Sequence, residues 1–178
     1  MSLNYLPEHA ENARLALELA LKEMGHLAYT RRTLFSQNID LQWVKSLEQR
    51  EDLSEKIDAF VGRFSRLQDH IGEKLIPRFA ALLAEQPKSL LDVLAYAEKI
   101  GWVANAEAFV GARKLRNLLV HEYMADAELF LEALKTADEA TQMLMDVVGN
   151  IARYADALGL SNHSKANEVD DRLKDAKQ

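Results

Sequence analysis

Residues Leu53–Leu75 read LSEKIDAFVGRFSRLQDHIGEKL, and the spacing of their apolar side chains decides the fold class. Leu53, Ile57, Phe60, Phe64, Leu67, Ile71 and Leu75 follow one another at steps of 4, 3, 4, 3, 4 and 4. Steps of three and four keep side chains on one face of an α-helix, so the stretch is a long amphipathic helix with one unbroken apolar stripe. The stripe is expected to be core; part of it serving as a dimer seam is the alternative. Pro77 falls inside the pattern, which resumes at Phe79, Leu82 and Leu83. Proline lacks an N–H and pushes on the preceding turn, so a kink or break is expected near Leu75-Ile76.

The chain on both sides reads the same way. Pro7 suits a first helical position, and Ala13, Leu17, Ala20, Leu21, Met24 and Leu27 keep helical spacing to about Tyr29. Thr30 to Asn38, with Arg31-Arg32, reads as a connection. Ile39, Leu41, Trp43, Val44 and Leu47 suggest a short helix or an irregular hydrophobic plug. Ser89 is the expected N-cap of a helix through Leu90, Val93, Leu94 and Ala97 that stops at Gly101. Asn105 caps the next helix, through Phe109, Ala112, Leu115 and Leu119 to about Glu122 or Tyr123. Asp126 caps a last long one from Leu129 to near Gly159. No alternating apolar–polar segment with hairpin turns occurs. The expected fold is all-α: an up-and-down bundle of about five helices over residues 1–160, with a polar, flexible tail at 161–178.

Composition narrows the function classes. Hydrophobic residues make up 48% of the 178, enough for a core, and the absence of Cys removes disulfides and thiolate chemistry. The net charge of −6 argues against a broad nucleic-acid surface, because such binding rests on many Lys and Arg contacts to phosphate. It leaves room for local basic clusters, of which Arg113/Lys114/Arg116 and Arg63/Arg66 are two. No apolar run approaches the length of a membrane span, and Met1–Leu6 lacks the pattern of a secretory signal, so a cytoplasmic location is expected. No close metal-ligand spacing or Gly-rich phosphate loop appears, so neither metal nor cofactor is expected.

The chemistry-bearing stretch is Arg116-Asn117-Leu118-Leu119-Val120-His121-Glu122-Tyr123, at the end of the penultimate helix. Its pattern of Arg, four residues, His, one residue, Tyr, with Asn directly after the Arg, resembles the HEPN superfamily and within it the HepT-like proteins. The order of elements over about Asp52–Gly159 agrees. The resemblance implies a HEPN-like core over that range and a metal-independent RNase, the toxin of a prokaryotic toxin–antitoxin module. It implies a homodimer with both motifs facing one cleft. It also implies a minimal nucleotidyltransferase partner that neutralises the toxin by adding AMP to Tyr123. Some relatives are instead substrate-binding subunits of the nucleotidyltransferase. The implied substrate is RNA; neither DNA nor a membrane is expected as a partner.

Elementary chemistry is compatible with that implication. His121 has the intrinsic pKa to move a proton near neutral pH, and Arg116 can grip phosphate oxygens with two donors. Asn117 precedes His121 by four residues and shares its helix face. Arg116 and His121 are five apart, roughly 140° around an ideal helix. They converge only at a loosened C-terminal turn or between two chains, and the second is favoured here. Asp69 and Arg66, three apart on the long helix, are supporting candidates, with Asp69 pairing with Arg116 or orienting His121; Arg113 is a further one. The plainer readings stand beside these. Arg116 alone is an ordinary surface or salt-bridged arginine, His121 alone a helix-terminal histidine, and Arg66, Asp69 and His70 a solvated face or an intrahelical ion pair. A helical adaptor with a coincidental motif is the third hypothesis.

Overall fold

The apolar stripe is buried along its whole length. Ile57, Phe60, Phe64, Leu67, Ile71 and Leu75 are at most 1% exposed and Leu53 is 7% exposed. It is therefore the core of a single chain and not a seam left open for another. The computed structural model describes residues 4–121 and 125–160. These form an all-α bundle: α1 (Ala10–Leu34), α2 (Leu41–Ser46), α3 (Glu51–His70), α4 (Ile76–Leu82), α5 (Leu90–Ile100), α6 (Ala106–His121) and α7 (Ala127–Ala157). The expected tail, 161–178, lies outside the described residues. Among the described residues, no helix is long and apolar enough to cross a membrane.

The kink expected at Leu75-Ile76 takes a definite form. Residues Ile71–Leu75 make a π-helical turn between α3 and α4, and the Ile76 N–H bonds the Ile71 carbonyl five residues back. Pro77 sits in the first turn of α4, where a missing N–H costs least. The wider turn absorbs the break in the i→i−4 ladder that proline forces, so the stripe continues through it with Ile76 and Phe79 also buried. Gly72, inside the turn, lets two neighbours approach. A Cβ there would lie 3.2 Å from Leu90 Cδ1 and 3.6 Å from Phe109 Cε1, which brings α5 and α6 onto the π turn.

Helix α1 is an integral layer and not an appendage to a core starting at residue 52. Ala13, Ala16 and Ala20 are at most 1% exposed, and these small side chains let α1 lie close against its neighbours. The α1–α3 seam is tied by polar bonds. His70 Nε2 donates to the Ala16 carbonyl at 2.7 Å. Arg63 donates to the His26 carbonyl at 3.1 Å and to the Thr30 hydroxyl. Two expectations change as a result. His70 is buried rather than on a solvated face. Thr30 to Leu34 continues α1 instead of forming a connection, because Thr30 and Leu34 are buried and Arg31 reaches α7, bonding Asp138 at 2.7 Å and Gln142 at 2.8 Å. Leu21, one of the apolar residues that keep the helical spacing of α1, is 41% exposed.

The remaining caps follow the sequence. Ser89 and Asp92 form a reciprocal capping box at the start of α5, and Gly101 ends that helix at φ +87°, where a side chain would be strained. Asp126 accepts from the Glu128 and Leu129 amides and starts α7. Between α5 and α6 the chain inserts Trp102, 2% exposed, edge-on to Phe79, Tyr96 and Tyr154 at centroid distances of 5.9, 5.8 and 5.3 Å. Residues from Ala13 to Leu160 share one apolar core.

Candidate functional site

Helix α6 presents the motif. Its first turn is satisfied by two carboxyl or amide oxygens: Asn105 Oδ1 accepts from the Ala108 amide at 3.0 Å, and Glu98 Oε2 accepts from the Ala106 amide at 2.6 Å. Phe109, Ala112, Leu115 and Leu119 form its buried stripe. On the α3 side, Gln68 Nε2 donates to the Phe109 carbonyl at 3.3 Å. Gly72 faces Phe109 while Asp69 reaches Arg116, so α6 runs antiparallel along α3. This register decides which candidates meet.

Arg116 lies on the flank of α6 that faces α3. Its Nη1 donates to Asp69 Oδ1 at 2.6 Å, with the two side chains 25% and 38% exposed. Of the two roles open to Asp69, the geometry realises the pairing with Arg116. The ion pair uses one of the five guanidinium N–H donors, which leaves donors for an anion. It also tethers the group at one nitrogen without removing it from water. Arg66 lies one turn before Asp69, toward the C-terminal end of α6. It is exposed, and its guanidinium folds back over Gly62, 3.6 Å from where a Cβ there would be. Arg113 is exposed one turn before Arg116. The α3–α6 edge therefore carries Arg66, Arg113 and Arg116, with Asp69 between them.

Asn117 and His121 are exposed on the outward face of α6, four residues apart. The helix stays α-helical through His121. The loosened last turn that would bring Arg116 and His121 together in one chain is not found up to that residue. At about 100° per residue the two side chains leave the helix roughly 140° apart. Tyr123 lies outside the described residues. His70, next to Asp69 in sequence, points about 100° away from it, into the α1 seam. Among the described residues, no group of three or more His, Asp or Glu side chains is placed to hold a metal ion.

Two arginine pairs that stand together in the sequence, Arg63/Arg66 and Arg31/Arg32, separate in the structure. Arg63 is spent on α1, and so does not join Arg66 at the α3–α6 edge. Arg32 stacks on Tyr29 with its guanidinium carbon 5.5 Å from the ring centroid, which separates it from Arg31 in role as well as direction. Nothing in the spacing of single charges along a helix distinguishes a tie from a free cation; only the neighbouring helix does.

Comparison of the chain with protein-family models, with curated proteins and with solved structures finds no match.

Proposed function

We propose that this chain is a HEPN-type endoribonuclease of a toxin–antitoxin module, cleaving RNA without a metal at a cleft shared by two copies. The observation that carries the reading is the ion pair by which Asp69 of α3 holds Arg116, on the helix that exposes Asn117 and His121 toward its end. A held, half-exposed guanidinium is suited to a phosphodiester, and its fixed charge stabilises the extra negative charge that develops on phosphorus. In the proposed reaction the 2′-hydroxyl oxygen attacks the adjacent phosphorus and loses its proton to an imidazole. The bond to the 5′-oxygen breaks, and that oxygen takes a proton from an imidazolium. The products are a 2′,3′-cyclic phosphate and a 5′-hydroxyl. His121 fits either proton transfer, and two copies supply two imidazoles. Asn117 orients His121 or donates to the phosphate. Tyr123 is the proposed acceptor of AMP from a minimal nucleotidyltransferase partner.

A second reading is favoured by a specific observation. Because α6 stays helical through His121, Arg116 and His121 diverge within one chain, and the net charge is −6. Both suit a non-catalytic partner subunit of a nucleotidyltransferase.

The test is incubation of the purified chain with total RNA in the presence of EDTA. Cleavage that is lost in His121→Ala and Arg116→Ala, both folded by circular dichroism, is the expected result. No cleavage by the wild type, or equal cleavage by His121→Ala, refutes the catalytic reading. Mass spectrometry of Tyr123 after reaction with a co-encoded nucleotidyltransferase and ATP tests the modification separately.

A further inference from the structure

A groove of about 350 Å³ runs between α1 and α7, lined by Ala28, Arg31, Arg32 and Phe35 on one side and by Asp138 and Met145 on the other. The first four are spaced as neighbours on one face where α1 ends, and the α7 pair is two turns apart. Its volume falls within the range of small-molecule sites, about 300–1,000 Å³. None of these residues belongs to the proposed RNA-cleaving site.

Both arginines are oriented without a ligand. Arg31 is held at two nitrogens by two different side chains: Nε donates to Asp138 Oδ1 at 2.7 Å and Nη1 to Gln142 Oε1 at 2.8 Å. Gln142 is itself fixed, because its Nε2 donates to Asp146 Oδ1 at 2.9 Å. The Arg31 side chain is 25% exposed, and its Nη2 makes no hydrogen bond among the described residues, so that nitrogen keeps its N–H donors for a ligand. Arg32 is exposed and lies over the Tyr29 ring, 5.5 Å from the centroid. Among the described residues it is in no ion pair. The two arginines have different tethers but line one groove. Against them stands one carboxylate, Asp138, already engaged by Arg31. The groove is therefore locally cationic in a chain whose net charge is −6.

The other walls specify more than an anion. Phe35 is half-buried and held edge-on to Phe60, with ring centroids 5.5 Å apart, so it presents a fixed aromatic surface next to Met145. The rim adds a second flat surface, the Arg32–Tyr29 stack, with Tyr29 58% exposed. Aromatic rings and guanidinium planes are what unpaired nucleobases stack on, and guanidinium donors fit phosphate oxygens. An acidic peptide would use the cations and leave the flat surfaces idle.

We infer that the α1–α7 groove binds a nucleotide, its phosphate held by Arg31 and Arg32 and its base packed against Phe35 and Met145. A free nucleotide and a nucleotide within an RNA strand offer this same chemistry. The inference does not rest on RNA cleavage.

NMR titration of the isotope-labelled full chain tests it with 5′-UMP, with inorganic phosphate and with a 2′-O-methylated octauridylate lacking a terminal phosphate, which has no 2′-hydroxyl to attack its own backbone. At least one nucleotide probe is expected to shift the Arg31, Arg32 and Phe35 resonances, with phosphate binding about tenfold more weakly or less. Tighter binding of 5′-UMP identifies a free nucleotide as the ligand, and tighter binding of the octamer identifies an RNA strand. Arg32→Ala and Phe35→Leu are each expected to weaken the better probe about tenfold, the first through phosphate and the second through stacking. Lys88→Ala, exposed between α4 and α5, is the control that binds like the wild type. No shift with either nucleotide probe, phosphate binding as tightly as the better one, or full affinity in a folded Arg32→Ala overturns the inference. A chain that binds nucleotide in the groove but cleaves no RNA refutes the catalytic proposal alone, and one that cleaves RNA without shifts at the groove refutes this one alone.

Discussion

Removing the carboxylate of Asp69 isolates the one interaction on which the reading of Arg116 depends. The pair is short, 2.6 Å, but makes a single hydrogen bond, and its side chains are 25% and 38% exposed. Fully exposed pairs couple by about 0.2–1 kcal/mol, and hydrogen bonds to charged groups in drier sites reach about 1.5–3 kcal/mol. The exposure sets this pair between them, near 1 kcal/mol after solvent screening is discounted. Asp69→Ala and Arg116→Ala are then each expected to lower the melting temperature by about 2–4 °C for a domain of this size. The double variant should lose no more than either alone plus a small remainder. Urea unfolding of all four proteins closes the cycle and yields the coupling directly. Added salt should reduce it without abolishing it, because the pair is half-shielded. Additive losses would mean the pair is not formed in solution. A coupling above about 3 kcal/mol would mean Arg116 is a buried structural strut rather than a group presented to phosphate.

Four further outcomes follow from the packing. Trp102→Ala should cost about 3–5 kcal/mol in urea unfolding, while Trp102→Phe should cost under about 1.5, because the indole N–H it removes is buried and, among the described residues, has no hydrogen-bond partner. Gly101→Ala should destabilise by about 1–2 kcal/mol, since φ +87° is a left-handed position, and a smaller loss would show that the α5 terminus relaxes. Burial, reinforced by Glu85 and then Tyr154, raises the Tyr96 hydroxyl above its usual pKa. The unfolded chain therefore releases that proton first as pH rises. Stability should fall from about pH 10 upward to the folded-state value, and Tyr96→Phe should flatten this limb in chemical unfolding followed against pH. At concentrations where the chain is monomeric, Gly111→Ala should raise stability by up to about 1 kcal/mol, because the added methyl meets nothing within 4 Å and favours the helix; a loss would mean the site is strained.

Much of the scaffold was readable because its signals are local. The stripe from Leu53 to Leu75, the caps at Ser89, Asn105 and Asp126, and the stop at Gly101 depend on periodicity and on side chains bonding their own backbone. The misreadings arise where a neighbour intervenes. Thr30–Leu34 looked polar enough for a loop, yet it is helix, because Arg63 on α3 and Asp138 on α7 satisfy its polar groups. His70 looked like part of a polar face with Asp69, yet adjacent helical residues point about 100° apart, one toward α1 and the other toward α6. Trp102 lies in a connection, where no periodicity marks burial.

For the candidate site the division is similar. The sequence by itself determined an all-α chain and put Arg116, Asn117 and His121 near one helix terminus, since both follow from spacing along a single helix. Tertiary structure alone decided that Asp69 serves Arg116 and that Arg63 is spent on α1. The physical reason is that hydrophobic periodicity reports which face is buried but not against which helix. The partner of a half-buried charge is set by the register between elements far apart in the chain, here 47 residues for Asp69 and Arg116.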